Sequence, residues 1–220
     1  MQVTKVNNDY SIRNSITFKK ILRNDIPAKA LKDNKYLLLV SGPSGVGKDT
    51  VMNMIIDKFN KIVTHTTRPK REGEVEGVNY FYTTTEKFLE SIKNNEFVEY
   101  VKLFSGRYYG TKRATIKKAL SGDKPALAIV DVDGAKNIKN NLKDDPQINV
   151  VSIFFGPPSM GTLRDRLERR GTETPEAIEE RLKRAAYEWR HAKNYDAEIA
   201  FESPEEGVKD MQDLLHLNLK

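Results

Sequence analysis

Residues Gly42-Pro43-Ser44-Gly45-Val46-Gly47-Lys48 place glycines and a lysine in the G-x-x-x-x-G-K spacing that suits an oligophosphate ligand. Glycines let the backbone turn several N–H groups toward one point, and a helix starting at the end of the loop adds its positive N-terminal end. Lys48 then reaches the β- and γ-phosphates. The next position is where a Ser or Thr hydroxyl ordinarily meets Mg²⁺, but here Asp49 stands there, followed by Thr50. A carboxylate so near a triphosphate is repelled unless a cation lies between them. Asp49 therefore either meets Mg²⁺, directly or through water, or turns aside in the first turn of the helix.

Such a loop needs a buried strand before it and a helix after it. Leu37-Leu38-Leu39-Val40 is a short, continuous apolar run, the pattern of a strand covered on both faces of a parallel sheet. Similar runs fill residues 126–132 and 150–155, with a weaker one at 197–201. Segments of helical period lie between them at 49–59, 85–94 and 175–193. Strands alternating with helices predict an α/β fold with a central parallel sheet flanked by helices.

Composition narrows the class further. The 220 residues are 38% hydrophobic, enough for one sizeable core, and no apolar run reaches the length of a membrane span. With no cysteine and three scattered histidines, disulfides, thiol nucleophiles and a structural zinc site are excluded or disfavoured. Residues 1–36 hold eight Lys/Arg and three Asp/Glu, so +5 of the net +6 sits in this N-terminal stretch and the remainder is nearly neutral. That distribution argues against nucleic acid as a ligand, and no reading motif for it is present. Residues 1–35 read as an extension outside the core, a surface helix or a tail. Asp9, Asp25 and Asp33 spoil the acid-poor pattern of a targeting segment, so the expected location is the cytoplasm.

Four further segments match one family in order. Residues 64–74 continuing to Gly77-Val78-Asn79-Tyr80, then Asn95-Glu96-Phe97-Val98-Glu99-Tyr100, Tyr108-Tyr109-Gly110-Thr111 and the lid-like 166–173 closely resemble guanylate kinases, from about residue 36 to 220. The resemblance implies a P-loop kinase fold with a core at 36–63, 112–157 and 186–220, a GMP-binding subdomain at 64–111 and a helical lid at 158–185. It implies phosphoryl transfer from ATP, with Mg²⁺, to GMP, leaving dGMP open, by a monomer or homodimer. Arg68, Arg71, Tyr80 and Tyr109 would hold the GMP phosphate, since forked guanidinium donors and hydroxyls suit a dianion. Thr64, Glu99, Thr111 and Asp131 would face guanine, whose N1–H and N2 amine match acceptor carboxylates. Arg166, Arg170 and Arg181 correspond to lid and hinge arginines that join Lys48 and Arg68 in neutralising the transferring group. Taken singly, Glu99 also reads as a solvated helix-end charge and Tyr80 as a half-buried strand residue.

The match departs at three places. Ile129 occupies the first position of an acidic pair, Asp133 stands where Gln is common, and Phe201 replaces an Asn near the adenine, where it either joins the core or stacks on the base. Asp49 is the residue that would restore the missing metal-side charge. Two rival functions remain at this level: a sugar-phosphate kinase, because Gly47-Lys48-Asp49 resembles ribose 1,5-bisphosphate phosphokinases, and a non-catalytic phosphopeptide-binding module. The first leaves Glu99 and Asp131 without a partner. The second has no need of Lys48 or the lid arginines.

Overall fold

Every residue of the strand preceding the glycine loop is buried, as both faces must be when helices cover a parallel sheet. In the computed structural model, which describes residues 20–22, 31–103, 105–169, 171 and 173–215, the chain runs β1 (Lys20–Leu22), β2 (Tyr36–Ser41), α1 (Lys48–Ile55), β3 (Asn60–Lys61), β4 (His65–Thr66), β5 (Phe81–Tyr82), α2 (Thr85–Lys93), β6 (Phe97–Lys102) and β7 (Tyr108–Lys112). It continues through α3 (Arg113–Leu120), β8 (Ala126–Ile129), α4 (Val132–Leu142), β9 (Asn149–Gly156), α5 (Met160–Arg169), α6 (Pro175–Arg190), β10 (Ala197–Ala200) and α7 (Pro204–Leu215), with 3₁₀ turns at Ile56–Lys58 and Ala192–Asn194.

The large sheet has the order β1-β10-β9-β2-β8-β3, and every pairing in it is parallel except that of β1. Side chains of β2 alternate between two apolar clusters. Tyr36, Leu38 and Val40 pack with Val51, Met52 and Ile55 of α1, Leu163 and Leu167 of α5, and Met211 of α7. Leu37 and Leu39 pack with Ile116 of α3 and Ile138 and Leu142 of α4. Each such fully buried aliphatic side chain stabilises the fold by about 1.5–3 kcal/mol.

Two expectations from the sequence change here. The apolar run 126–132 is not one strand, because Asp131 caps α4 by accepting the Gly134 N–H at 2.7 Å, which makes Val132 the first helical residue. The N-terminal extension is not wholly outside the core. Lys20–Leu22 pairs antiparallel with β10, covering backbone groups that would otherwise line the sheet edge, while Leu22 packs on the core and Leu31 is buried in it. The segment carries only a weak apolar pattern, at Ile16, Phe18, Ile21 and Leu22, too short to read as a strand. The remaining residues of the extension, 1–19 and 23–30, lie outside the described residues.

A smaller sheet, β5-β4-β7-β6, spans residues 65–112, the stretch expected to bind the acceptor. A bulge between Phe97 and Glu99 shifts the β6–β7 register so that Glu99 falls opposite Thr111. Helix α2, capped by Thr84, lays Phe88 against Phe97 with ring centres 4.3 Å apart. The small sheet is tied back to the core where Asn141 of α4 donates to the Val98 carbonyl at 2.7 Å. The expected lid, 158–185, holds α5 and most of α6, and α6 runs unbroken past that boundary to Arg190. No helix among the described residues is long and apolar enough to cross a membrane.

Candidate active site

The glycine loop joins β2 to α1. At Gly42 a β-carbon would stand 2.3 Å from the Phe155 carbonyl oxygen, so the loop lies against β9 in a way only glycine permits. Gly47, at φ 95°, is the left-handed N-cap of α1 and turns the chain into the helix. Pro43 and Val46 are buried beneath the loop, whereas Ser44 and Thr50 are exposed and Gly45 is half-buried. Lys48 is only 14% exposed, and its Nζ lies 3.5 Å from Asp49 Oδ1. Asp49 is 79% exposed in the first turn of α1.

Two of the three predicted lid arginines reach this loop; Arg170 lies outside the described residues. Arg181 Nη1 donates to Ser44 Oγ at 2.8 Å, and its Nε is paired with Glu173. Arg166 donates to three carbonyls, Val46 at 2.9 Å, Phe201 at 2.8 Å and Glu202 at 3.1 Å. Burial lowers its pKa, against the charge of Glu202. As placed, Arg166 fastens α5 to the glycine loop and to the segment after β10. Phe201 is buried, edge-on to Phe155, and joins the core.

On the acceptor side, Arg68 is a buried cation, 5% exposed, so it requires a partner. Its Nη2 donates to Glu74 Oε1 at 2.6 Å and its Nη1 to the Pro69 carbonyl at 2.8 Å. The hydrogen bond to Glu74 raises its pKa against desolvation, with a further contribution from Tyr109. Glu74 also accepts the Arg71 N–H at 2.8 Å and the Tyr82 hydroxyl at 2.7 Å. These donors, Arg68 foremost, hold its carboxyl down at about 2. The Arg68 guanidinium carbon lies 5.3 Å from the Tyr80 ring centre, and Tyr80 meets Tyr109 edge-on at 5.9 Å. Arg71 is exposed at the rim.

Of the residues expected at the base, Thr111 and Glu99 are in contact and the charge of Asp131 reaches Glu99. Thr111 is buried and donates to Glu99 Oε1 at 2.8 Å. Desolvation pushes the Glu99 carboxyl up, opposed by that hydrogen bond and reinforced by the charge of Asp131. Thr64 is half-buried, and its carbonyl accepts the Phe81 N–H at 2.9 Å. Ile129, at the departure from the acidic pair, packs against the core. Among the described residues no three His, Cys, Asp or Glu side chains gather as a metal site.

Sequence reasoning missed Glu74, Tyr82, Glu173 and Arg184. Glu74 carried one usable signal, a carboxylate three residues beyond Arg71 within an arginine-rich turn. Arg184 carried another, since it follows Arg181 by three residues and so shares a face of α6.

The same organisation recurs in known proteins. A sequence profile described as guanylate kinase matches residues 34–218. The chain belongs to the guanylate kinase family. A guanylate kinase of Clostridium perfringens is 37% identical over 191 residues, covering 85% of this chain and 86% of the relative. One from Prochlorococcus marinus is 39% identical over 182 residues, covering 81% and 96%. The crystal structure of guanylate kinase from Anaplasma phagocytophilum superposes with a TM-score of 0.61 at 32% identity, covering 82% of this chain and 84% of that one. Family membership and the α/β architecture thus agree with the sequence motifs.

Proposed function

We propose that this guanylate kinase family member transfers the γ-phosphoryl group of ATP to GMP, giving ADP and GDP. A phosphate oxygen of GMP attacks the γ-phosphorus while the bond to the β–γ bridging oxygen breaks, and the electron pair leaves on ADP. Such a reaction asks the protein chiefly for position and charge. Lys48 and the loop N–H groups at 42 and 44–50 hold the donor phosphates, and Arg181 and Arg170 close over them from the lid. Arg166 keeps α5 docked beside the loop. Arg68, Arg71, Tyr80 and Tyr109 hold the acceptor phosphate.

The acceptor assignment is carried by one observation: Glu99, set opposite Thr111 by a bulge, accepts a hydrogen bond from its hydroxyl and feels the charge of Asp131, and Thr111 lies two residues along the same strand from Tyr109 of the Arg68 cluster. Acceptor oxygens on Glu99 and Asp131 match the N1–H and N2 donors of guanine and mismatch the N1 acceptor of adenine. Asp49, an exposed carboxylate next to Lys48, would face a Mg²⁺ ion carried mainly by triphosphate oxygens and water. When bound with ATP, that ion neutralises the phosphate charge. The test is ADP release with ATP–Mg²⁺ against GMP, AMP, UMP, CMP and ribose 1,5-bisphosphate. GMP is the expected acceptor, and a preference for any of the others contradicts the reading.

A further inference from the structure

Asp131 and Asp133 set two carboxylates two residues apart at the start of α4, the charge of Asp131 reaches Glu99, and like charges so placed repel unless a cation joins them. Arg184 supplies that cation. Its Nη2 lies 4.0 Å from Asp131 Oδ2 and 3.9 Å from Asp133 Oδ2, and its Nε donates to Glu188 Oε1 at 2.8 Å. The guanidinium carbon also stands 5.0 Å from the Tyr187 ring centre, and the Tyr187 hydroxyl is 3.3 Å from Asp133 Oδ1. Residues three and four positions further along α6 therefore brace Arg184, and its outer edge faces the acidic pair. One turn earlier, Arg181 of the same helix touches Ser44 of the glycine loop. A single helical face thus contacts both halves of the site.

We infer that Arg184 is a positioning residue for acceptor binding: it holds the Asp131 carboxylate in register for the base and links the lid helix to the acceptor pocket. This rests on the proposed GMP reading. Asp131 Oδ1 is already committed to capping α4, so Oδ2 is the oxygen free to meet a base donor, and it is the oxygen that Arg184 approaches. Asp133, the second anchor of the arginine, acts through Arg184.

Steady-state kinetics with both substrates varied, on the full chain and its variants, test the idea. Turnover of GMP by the unaltered protein checks the acceptor reading by itself. Given that turnover, Arg184→Gln is expected to raise KM for GMP about three- to fivefold, the upper range for an exposed ion pair, with kcat and KM for ATP within about twofold. Arg184→Lys, which keeps the charge and loses the fork, should restore part of the affinity. Adding Asp133→Asn to Arg184→Gln should cost little more than Arg184→Gln alone. An unchanged KM for GMP in Arg184→Gln would overturn the inference, as would a fall in kcat with both KM values fixed and no rescue by lysine.

Discussion

On the acceptor side Arg68 finds Glu74 six residues away and Glu99 finds Thr111 twelve residues away, whereas on the donor side Arg166 reaches Val46 across 120 positions and Arg181 reaches Ser44 across 137. The Arg68–Glu74 cluster and the Glu99–Thr111 pair are braced within the small sheet, whereas Asp131 is supplied by the start of α4. The donor site is assembled between elements and exists only while α5 and α6 are docked on the glycine loop. Opening of the lid would break the arginine contacts to the loop and the approach of Arg184 to Asp131, and would leave the Arg68–Glu74 network standing. The phosphate-holding part of the acceptor site is thus held by contacts within one small sheet, whereas the lid contacts join distant parts of the chain.

Removing Lys48 gives the largest effect expected. Lys48→Ala should lower kcat on the order of 10²–10³-fold, as losing one group aimed at the transferring charge does, while GMP binding measured by calorimetry stays near the unaltered value. A parallel loss of GMP affinity would erase the distinction between the two halves. Glu74→Gln strikes the opposite side. It removes the charge that holds Arg68, and roughly a tenfold to hundredfold fall in kcat/KM for GMP is expected with KM for ATP unmoved. If Arg68 kept its position without Glu74, the variant would be nearly silent.

Deleting residues 1–35 probes the core that supports both halves. Leu31 contributes about 1.5–3 kcal/mol by burial, and a chain of this size loses about 2–4 °C in Tm for each kcal/mol. Thermal scans should show a drop of about 3–12 °C with kcat within about twofold, because none of the described site residues lies in that stretch. An unaltered Tm would mean that β1 adds nothing to the sheet.

Acid gives the smallest and most regional effect. Burial, and then the charge of Lys112, lower the pKa of His65 to about 4, below its ordinary 6.5. A histidine kept neutral in the fold contributes stability that is complete above its unfolded pKa and is lost as the pH falls from there through about 4. Glu74, held down at about 2, contributes stability that is present above the ordinary carboxylate range and lost as the pH falls through that value. Glu99, raised by burial, acts in the opposite sense. Amide protection factors in β4–β7, taken relative to the intrinsic exchange rate at each pH, should therefore fall between pH 6.5 and 4 before Trp189, which donates to Glu198 on β10, changes its fluorescence. Simultaneous loss of both signals would show that the small sheet has no separate acid response.

Much of this was legible in the sequence because it is written locally. The glycine loop, the buried run before it and the helical period of 175–193 are contiguous patterns, and the α/β class follows from their alternation. Asp131 was harder, because one residue served both as an expected strand end and as a helix cap. Only the Gly134 N–H contact shows that the strand stops at Ile129. The pairing of Lys20–Leu22 with β10 joins positions far apart in the chain, and no local period announces it. Arg166 illustrates a further limit. Its residue type suggests phosphate, but its three hydrogen bonds go to backbone carbonyls, whose positions only the folded chain defines.

Base choice is the most direct test of the central claim that the carboxylates beside Thr111 select guanine. The measurement is the ratio of kcat/KM for GMP to that for AMP in the unaltered protein, Glu99→Gln, Asp131→Asn and Arg71→Ala. Asn retains the cap of α4, so Asp131→Asn alters the charge and leaves the helix start in place. Losing a hydrogen bond to a charged group costs about 1.5–3 kcal/mol, so each carboxylate variant should lose about ten- to hundredfold in kcat/KM for GMP and see the ratio shrink. Arg71→Ala should depress both substrates together and leave the ratio alone. Carboxylate variants that keep the full preference for GMP, or an unaltered protein that uses AMP as well as GMP, would contradict the account.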